Sequence, residues 1–391
     1  MTSTEISERA RWKPFGLAGR ATPLAETGSR RLAILIHDLR GGGAERVALN
    51  LAKGMVEAGR QVDLVLVRAQ GEYLDQIPAG VRVIDFGRSN VFRAVPDLVR
   101  YLRRERPRAL LSSLTHVNVA VLIAKVLAGG DTRIAVTEHN QISVKAAGPH
   151  GLRGRLVYRL APKLYGLADQ VVAVSRGAAD DVARFARLPS GAVQCIYNPV
   201  YDEALVEAAA RPVDHPWMQP GQPPVILAAG RLHEQKGFDV LIRAFQKVRQ
   251  AMPCRLVIMG EGAERGRLED LARELSVASD VALVGFVGNP YAMMSRAATF
   301  VVSSRWEGFS VVLLEALACG TPVVSTDCAS GPSEILEQGR YGALVPVDDV
   351  EALADGVLRA LRASERGDVE RAKAFSTGAA TRAYLQMLEA V

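Results

Sequence analysis

The stretch from residue 31 to residue 67, RLAILIHDLRGGGAERVALNLAKGMVEAGRQVDLVLV, sets the architecture. Leu32 to Ile36 is an unbroken apolar run, suited to a strand covered on both faces. Gly41, Gly42 and Gly43 follow, and then Ala44, Val47, Ala48, Leu51 and Met55 recur at helical spacing up to Gly59. Val62 to Val67 is the next strand. Strand, glycine turn, helix and strand make one βαβ unit, the building block of a parallel sheet with helices on both faces.

Outward from this unit the rhythm repeats. Strands are expected at Val81 to Phe86, Ala109 to Leu114, Arg133 to Thr137, Gln170 to Ser175 and Val193 to Tyr197, most of them separated by helical patterns. Between Pro199 and Pro224 fall six prolines (199, 212, 216, 220, 223 and 224), a composition that resists regular packing and reads as an inter-domain connection. The alternation then restarts. Strands are expected at Val225 to Ala229, Arg255 to Met259, Val281 to Gly285, Thr299 to Ser303 and Pro322 to Thr326. Helices are expected at Phe238 to Val248, Glu264 to Leu275 and Val350 to Arg362. The fold class is α/β: two Rossmann-like, doubly wound halves, residues 30–200 and 224–376, joined by a linker at 201–223 and facing each other across a cleft. A last helix, Thr377 to Glu389, is compatible with either half. Residues 1–29 read as a disordered tail, since they mix charged residues with Ser, Thr and Gly and lack the apolar centre of a signal peptide.

Composition narrows the function classes. Of 391 residues, 49% are hydrophobic and 23% charged, which excludes disorder for the chain as a whole. Lys and Arg number 48 against 42 Asp and Glu, a net charge of +6. That excess is too small to mark a nucleic-acid binder, and no reader motif for nucleic acid is present. Cys195, Cys254, Cys319 and Cys328 show no C-x-x-C pairing, so neither a disulfide scaffold nor a zinc site is expected, and a reducing, cytoplasmic setting is. The nearest approach to a membrane span, Leu110 to Leu127, is interrupted by His116, Asn118 and Lys125.

Three motifs carry chemistry. The first is the glycine cluster before Ala44. A dinucleotide fingerprint would need glycine where Arg46 stands, and no Walker loop occurs anywhere, so nicotinamide and P-loop chemistry are unsupported. What remains is either a tight turn or a bare backbone at Gly42 and Gly43 that an anionic or sugar ligand can approach. The second is Gly230-Arg231-Leu232-His233-Glu234-Gln235-Lys236-Gly237. Arg231 and Lys236 form either a diphosphate clamp beside a helix N-terminus or solvated surface charge.

The third motif is Ser304-Arg305-Trp306-Glu307-Gly308-Phe309-Ser310-Val311-Val312-Leu313-Leu314-Glu315-Ala316. Glu307 lies at a strand-to-helix junction, Gly308 is expected to adopt an unusual backbone angle, and residues 309 to 318 begin an apolar helix. Its first amides can grip a phosphate. Glu315 sits among Leu313, Leu314 and Leu317 and needs a partner, either a ribose diol or a structural salt bridge.

Together Arg231, Lys236 and the E-x7-E pair Glu307 and Glu315 resemble the retaining glycosyltransferases of glycosyltransferase family 4, over the whole chain from about Arg31. The resemblance implies the GT-B fold, a nucleotide-diphosphate sugar donor in the cleft, no required metal or other cofactor, and a last helix that packs back on the first half. It assigns Arg231 and Lys236 to the donor diphosphate, Glu307 to the transferred sugar and Glu315 to the ribose. Backbone groups of Gly308, Phe309, Ser310 and Val311 fall to the distal phosphate and sugar, and Phe286 to the nucleobase. Thr137-Glu138-His139-Asn140 matches a T-x-H position, which puts His139 near the sugar; a structural histidine is the other reading. Residues 42–47 (Gly-Gly-Ala-Glu-Arg-Val) and 331–334 (Gly-Pro-Ser-Glu) resemble bacterial members that build surface polysaccharides or lipid-linked oligosaccharides.

The resemblance thus implies transfer of a hexosyl or N-acetylhexosaminyl unit, with a UDP-sugar as the expected donor, to a glycan or polyprenyl-diphosphate-linked acceptor. The alternatives are a sugar-nucleotide epimerase of the same fold and a non-catalytic nucleotide-sugar-binding partner of another transferase. Between Asn140 and Ala168 no acidic residue occurs, while Lys145, Arg153, Arg155, Arg159 and Lys163 do, beside Leu152, Leu156, Val157, Leu160 and Leu164. A second basic cluster runs from Arg93 through Arg100, Arg103, Arg104 and Arg106 to Arg108. These are either solvated helix faces or a surface that docks on anionic lipid at the inner face of the plasma membrane.

Overall fold

The computed structural model describes residues 31–363 and 366–390. The tail expected at 1–29 lies outside the described residues. Seven strands form the first sheet: β1 (Leu32–Ile36), β2 (Val62–Leu66), β3 (Val81–Asp85), β4 (Ala109–Ser113), β5 (Arg133–Glu138), β6 (Gln170–Ala173) and β7 (Val193–Cys195). Their spatial order is β3-β2-β1-β4-β5-β6-β7, every pair parallel. Six form the second: β8 (Val225–Ala229), β9 (Arg255–Met259), β10 (Val281–Gly285), β11 (Thr299–Val302), β12 (Val323–Thr326) and β13 (Ala343–Val345). Their order is β10-β9-β8-β11-β12-β13, again all parallel. The α/β class with two doubly wound halves is borne out.

Helices cover both faces of each sheet, so strands such as β1 are buried at every position and are built mainly of apolar side chains. That is why unbroken runs were the visible signal. The strand missing from the sequence reading is β13, three residues between Gly342 and Pro346, too short to show a period. The proline-rich connection is also more regular than expected. Glu203–Ala210 is a helix, capped by Asp202, whose carboxylate accepts from the Leu205 amide at 2.9 Å. It fits because no proline falls between Pro199 and Pro212, and Ala, Glu and Leu are strong helix formers. Asn289 and Ser295 donate to its Ala208 and Ala209 carbonyls, both at 2.8 Å, which seats the helix on the second half.

The final helix, Thr377–Glu389, lies against helix Gly43–Glu57 of the first half, with Thr381 filling the space above Gly54. Arg60 grips the Glu389 carboxylate through two nitrogens (2.5 and 2.9 Å), and Arg108 donates to the Glu389 carbonyl at 2.6 Å. The chain therefore crosses between the halves twice, and the crossings are stitched together. The Val200 and Tyr201 amides donate to the Phe375 carbonyl (3.0 and 3.2 Å), and the Thr377 amide returns to Tyr201 at 2.9 Å. A continuous apolar cluster runs through Ile196, Val200, Phe309, Phe375 and Tyr384, joining the cores of the two halves at this seam.

Candidate active site

In each sheet the order reverses beside the first strand of the half, between β1 and β4 and between β8 and β11. Such switch points open a crevice at the carboxyl ends of the strands. In the first half these ends carry the glycine loop after β1, the helix starting at Thr115 after β4, and Glu138-His139-Asn140 at the end of β5. In the second they carry Gly230 to Gly237 after β8 and Ser303 to Ser310 after β11.

The second half brings its motif residues together. Lys236 Nζ is 2.6 Å from Glu307 Oε1, and Ser304 Oγ donates to the same oxygen at 2.7 Å. Glu307 is buried. Its Oε2 accepts no hydrogen bond among the described residues, so half the carboxylate remains available. Arg231 is exposed, with no hydrogen bond or ion pair among the described residues. Helix Val311–Ala318 follows, and its N-cap, Ser310, provides no side-chain cap. Ser310 is 1% exposed and its hydroxyl has no partner. A buried orphan hydroxyl at an open helix N-terminus is costly unless a ligand completes it.

Other expected residues divide between the cleft and the core. The Phe309 side chain is core: its ring lies 5.4 Å from Tyr197 and 5.5 Å from Phe375. Phe286 is 41% exposed and stands 6.0 Å from the Tyr73 ring, above Gly41. Gly43 packs against Val311, so the glycine loop lies beside the open helix N-terminus, while the Glu45 carboxylate folds over Gly42. Burial pushes the Glu45 carboxyl above its ordinary pKa. Glu315 is buried, and its partner is a phenol: Tyr291 donates to Oε1 at 3.0 Å. Burial raises its pKa, against the opposing pull of Arg46 and this hydrogen bond. Arg46 itself stacks over the Tyr73 ring at 4.1 Å.

Gly308 differs from the expectation. It does not take a positive φ; its glycine is required by proximity, because a Cβ there would overlap the carbonyl oxygen of His139 and crowd Asn140. The Glu307-Gly308 loop of one half thus touches the β5 end of the other. His139 is buried, its Nε2 has no partner, and burial with Lys145 nearby lowers its pKa to about 4, so the ring is neutral. Glu138 beside it is buried, accepting from Thr115 at 3.0 Å, from Asn118 at 3.1 Å and from the Tyr165 phenol.

Several residues of the cleft were not expected from sequence. Lys145, grouped there with the basic surface, is half-buried beside the cleft, within electrostatic reach of Glu138, Glu307 and Glu45, and burial lowers its pKa. His116 opens the helix after β4, 5.5 Å from the His37 ring, with its pKa lowered to about 4 chiefly by burial. Asp38 is bound by Arg40 at 2.7 Å and His37 at 3.0 Å. Burial pushes its carboxyl up, but His37, Arg40 and Gln70 together hold it well below the usual range. One signal was visible: Arg46, the residue that breaks the dinucleotide fingerprint, lies within electrostatic reach of Glu315. No cluster of three or more His, Cys, Asp or Glu able to hold a metal occurs among the described residues.

Two family models match, and they meet at the seam between the halves. Residues 41–204 match the Glycosyltransferase Family 4 model and residues 215–381 match Glycosyl transferases group 1. The chain is a family 4 glycosyltransferase. Its fold agrees with solved relatives. This glycosyltransferase superposes on the sucrose-phosphate synthase of Thermosynechococcus elongatus with a TM-score of 0.77 at 22% identity, covering 93% of this chain and 100% of that one. On Anabaena HepE in complex with UDP and glucose the TM-score is 0.75 at 19% identity, covering 93% and 100%. In sequence, the glycosyltransferase is 29% identical over 364 residues to the N-acetylgalactosamine-N,N'-diacetylbacillosaminyl-diphospho-undecaprenol 4-alpha-N-acetylgalactosaminyltransferase of Campylobacter jejuni, covering 90% of this chain and 95% of that relative. The GT-B architecture of the glycosyltransferase is thereby shown.

Proposed function

We propose that this glycosyltransferase moves a hexosyl or N-acetylhexosaminyl unit from a UDP-sugar to a polyprenyl-diphosphate-linked glycan, with retention of anomeric configuration, in polysaccharide or glycolipid assembly. The observation that carries the donor side is the arrangement of Lys236, Glu307 and the unpartnered Arg231 around the open N-terminus at Ser310. Breaking the C1–O bond to the diphosphate leaves negative charge on phosphate and positive charge on the sugar ring. In this reading Arg231 and Lys236 meet the first and the free Oε2 of Glu307 meets the second, while the Ser310 hydroxyl adds one hydrogen bond to the bound donor. Fixed donors aimed at developing charge need no reorganisation as it forms, and the loss of one costs about 3 kcal/mol of barrier in comparable sites.

His139 is neutral and buried, so its role is to shape the sugar subsite, not to bring charge. In the front-face substitution that this reading adopts, the leaving phosphate oxygen takes the acceptor hydroxyl's proton as the new C1–O bond forms. The lipid-linked acceptor draws support from the Campylobacter relative, whose name specifies a diphospho-undecaprenol glycan. UDP draws support from the HepE complex.

Membrane docking belongs to the same reading, on a smaller surface than sequence suggested. In helix Leu152–Leu164, Leu152 is 85% exposed and Leu156 55%, flanked by exposed Arg153, Arg155, Arg159 and Lys163, while Val157 is buried against the first half. The second basic cluster is largely committed within the fold: Arg100 pairs with Asp97, Arg103 donates to the Leu127 and Ala128 carbonyls, and Arg108 holds Glu389. No described helix is long and apolar enough to cross a membrane. Cosedimentation with anionic vesicles at low salt, lost in Leu152→Ser/Leu156→Ser, supports docking; no cosedimentation at low salt removes it.

A thermal-shift panel of UDP, GDP, ADP and dTDP without added metal tests the donor. At about 100 times its dissociation constant a ligand adds about 2.7 kcal/mol of native-state stability. A selective UDP shift supports the assignment, a selective GDP shift replaces the donor class, and no shift at millimolar concentration overturns the donor site.

A further inference from the structure

The Gly-Pro-Ser-Glu segment at 331–334 is not used by any step above, yet its Glu334 makes a contact between the halves. Helix Arg176–Ala186 of the first half begins immediately after β6. Its Arg176 and Gly177 amides donate to the two oxygens of Glu334, each at 3.0 Å, across 158 and 157 residues of chain. The Tyr197 phenol, just past β7, donates to Glu334 Oε2 at 3.0 Å. Two amides at a helix N-terminus and a phenol leave this carboxylate fully engaged, and all three donors belong to the other half.

The same junction grips the catalytic loop. Ser175, the N-cap of that helix, donates its hydroxyl to the Gly308 carbonyl at 2.7 Å while accepting from the Ala178 amide at 3.1 Å. Ser330 donates to the Glu307 carbonyl at 2.7 Å and abuts Gly177, where a Cβ would lie 2.7 Å from its own Cβ. Tyr197 stacks on Phe309, the residue after Gly308. Both carbonyls that flank the Glu307-Gly308 peptide unit and its successor are therefore held by serines whose positions depend on how helix Arg176–Ala186 sits on Glu334. Arg371 completes the anchor from behind, donating to the Glu334 and Ile335 carbonyls at 2.7 Å each.

We propose that Glu334 is a positioning residue for the transfer reaction: by capping helix Arg176–Ala186 across the cleft it holds the halves in register and fixes the loop that aims Glu307. The proposal rests on the reading of Glu307 as the carboxylate that meets the transferred sugar. Glu334 touches no substrate. Its effect is on alignment, and misplacing a reacting group by about 1 Å can cost about 10²-fold in rate.

The test uses the full-length chain and UDP as the binding probe, since Arg231 and Lys236 stand on the segment after β8 and not on the loop that Glu334 steadies. Glu334→Ala is expected to slow UDP release from UDP-N-acetylgalactosamine, its sugar passing to water, about tenfold or more while UDP affinity stays within about twofold, and to enlarge the radius of gyration by opening the cleft. Glu334→Gln, which keeps an acceptor oxygen, is expected to fall between Ala and wild type. Gly177→Ala, which wedges the same contact and leaves Glu334 in place, should reproduce the Ala result, and stands in for it if Glu334→Ala does not fold. Wild-type turnover and scattering in both variants would overturn the proposal, as would UDP affinity falling in step with turnover. Unimpaired turnover in Glu307→Gln, with the cleft still opening in Glu334→Ala, would sink the Glu307 reading and leave the inter-half cap standing.

Discussion

Two helix N-termini face the same junction and are treated in opposite ways. Helix Arg176–Ala186 is capped twice, by Ser175 from its own chain segment and by Glu334 from the other half. Helix Val311–Ala318 has no side-chain cap, and the hydroxyl of its N-cap residue is buried without a partner. Unsatisfied donors at helix ends attract anions, and a protein that satisfies one end with two groups while leaving the other empty has assigned them different tasks. In the reading proposed above, the first is a joint and the second takes the donor phosphate.

The largest effect expected from this contrast is at the open end. Lys236→Ala should lower turnover about 10²- to 10³-fold, the range found when one preorganised donor is removed, with little change in Tm. Equal losses of turnover and stability would make Lys236 a structural residue and remove the contrast.

Acid should weaken the fold where the halves meet at His139. The folded pKa of His139 is lowered to about 4 by burial and by Lys145, below an unfolded value near 6.5, so the unfolded chain binds the proton first. Stability is full above about pH 6.5 and declines as pH falls towards 4, by about 3 kcal/mol for this group alone. His139→Gln should flatten that share of a pH-dependent melting series, leaving the share of His116, whose pKa is lowered in the same way. An unchanged slope would mean that His139 is protonated in the folded state.

Gly308→Ala places a methyl group against the His139 carbonyl and should cost about 1 to 3 kcal/mol, the range for overpacking, with turnover falling alongside Tm. A tolerated alanine would show that the halves separate freely at this point. The two serines give the sharpest pairing. Ser175→Ala removes a cap and should lower stability by about 1 kcal/mol. Ser310→Ala removes a hydroxyl that has no partner in the free protein, so Tm should not fall, while the apparent KM for donor should rise about fivefold, the worth of one hydrogen bond of about 1 kcal/mol. If Ser310→Ala melts early and leaves KM unchanged, the two termini are not different in kind.

What was legible in the sequence follows from which forces act locally. Leu32 to Ile36 reads as a strand because a central strand covered on both faces is buried at every position and here is wholly apolar, and Thr377 to Glu389 reads as a helix because its buried residues recur on one face. Glu307, Glu315, Arg231 and Lys236 were visible because their spacing forms a pattern, and the structure brings Lys236 onto Glu307 across 71 residues. Sequence also framed the choices for Glu315, a salt bridge or a ligand, without including the Tyr291 phenol that packing places there.

The sequence by itself determined the alternation of strand and helix, the two halves and the residues of the proposed donor site. Only the tertiary structure decided that Gly308 serves a close approach and not a backbone angle, that Lys145 belongs to the cleft and not to the basic surface, and that Glu334 caps a helix of the other half. The reason is physical. Hydrophobic periodicity and glycine placement act within a few residues along the chain. The contacts that aim the site join residues 130 to 160 positions apart, and no local pattern encodes which side chains meet when two sheets are stitched together at a single seam.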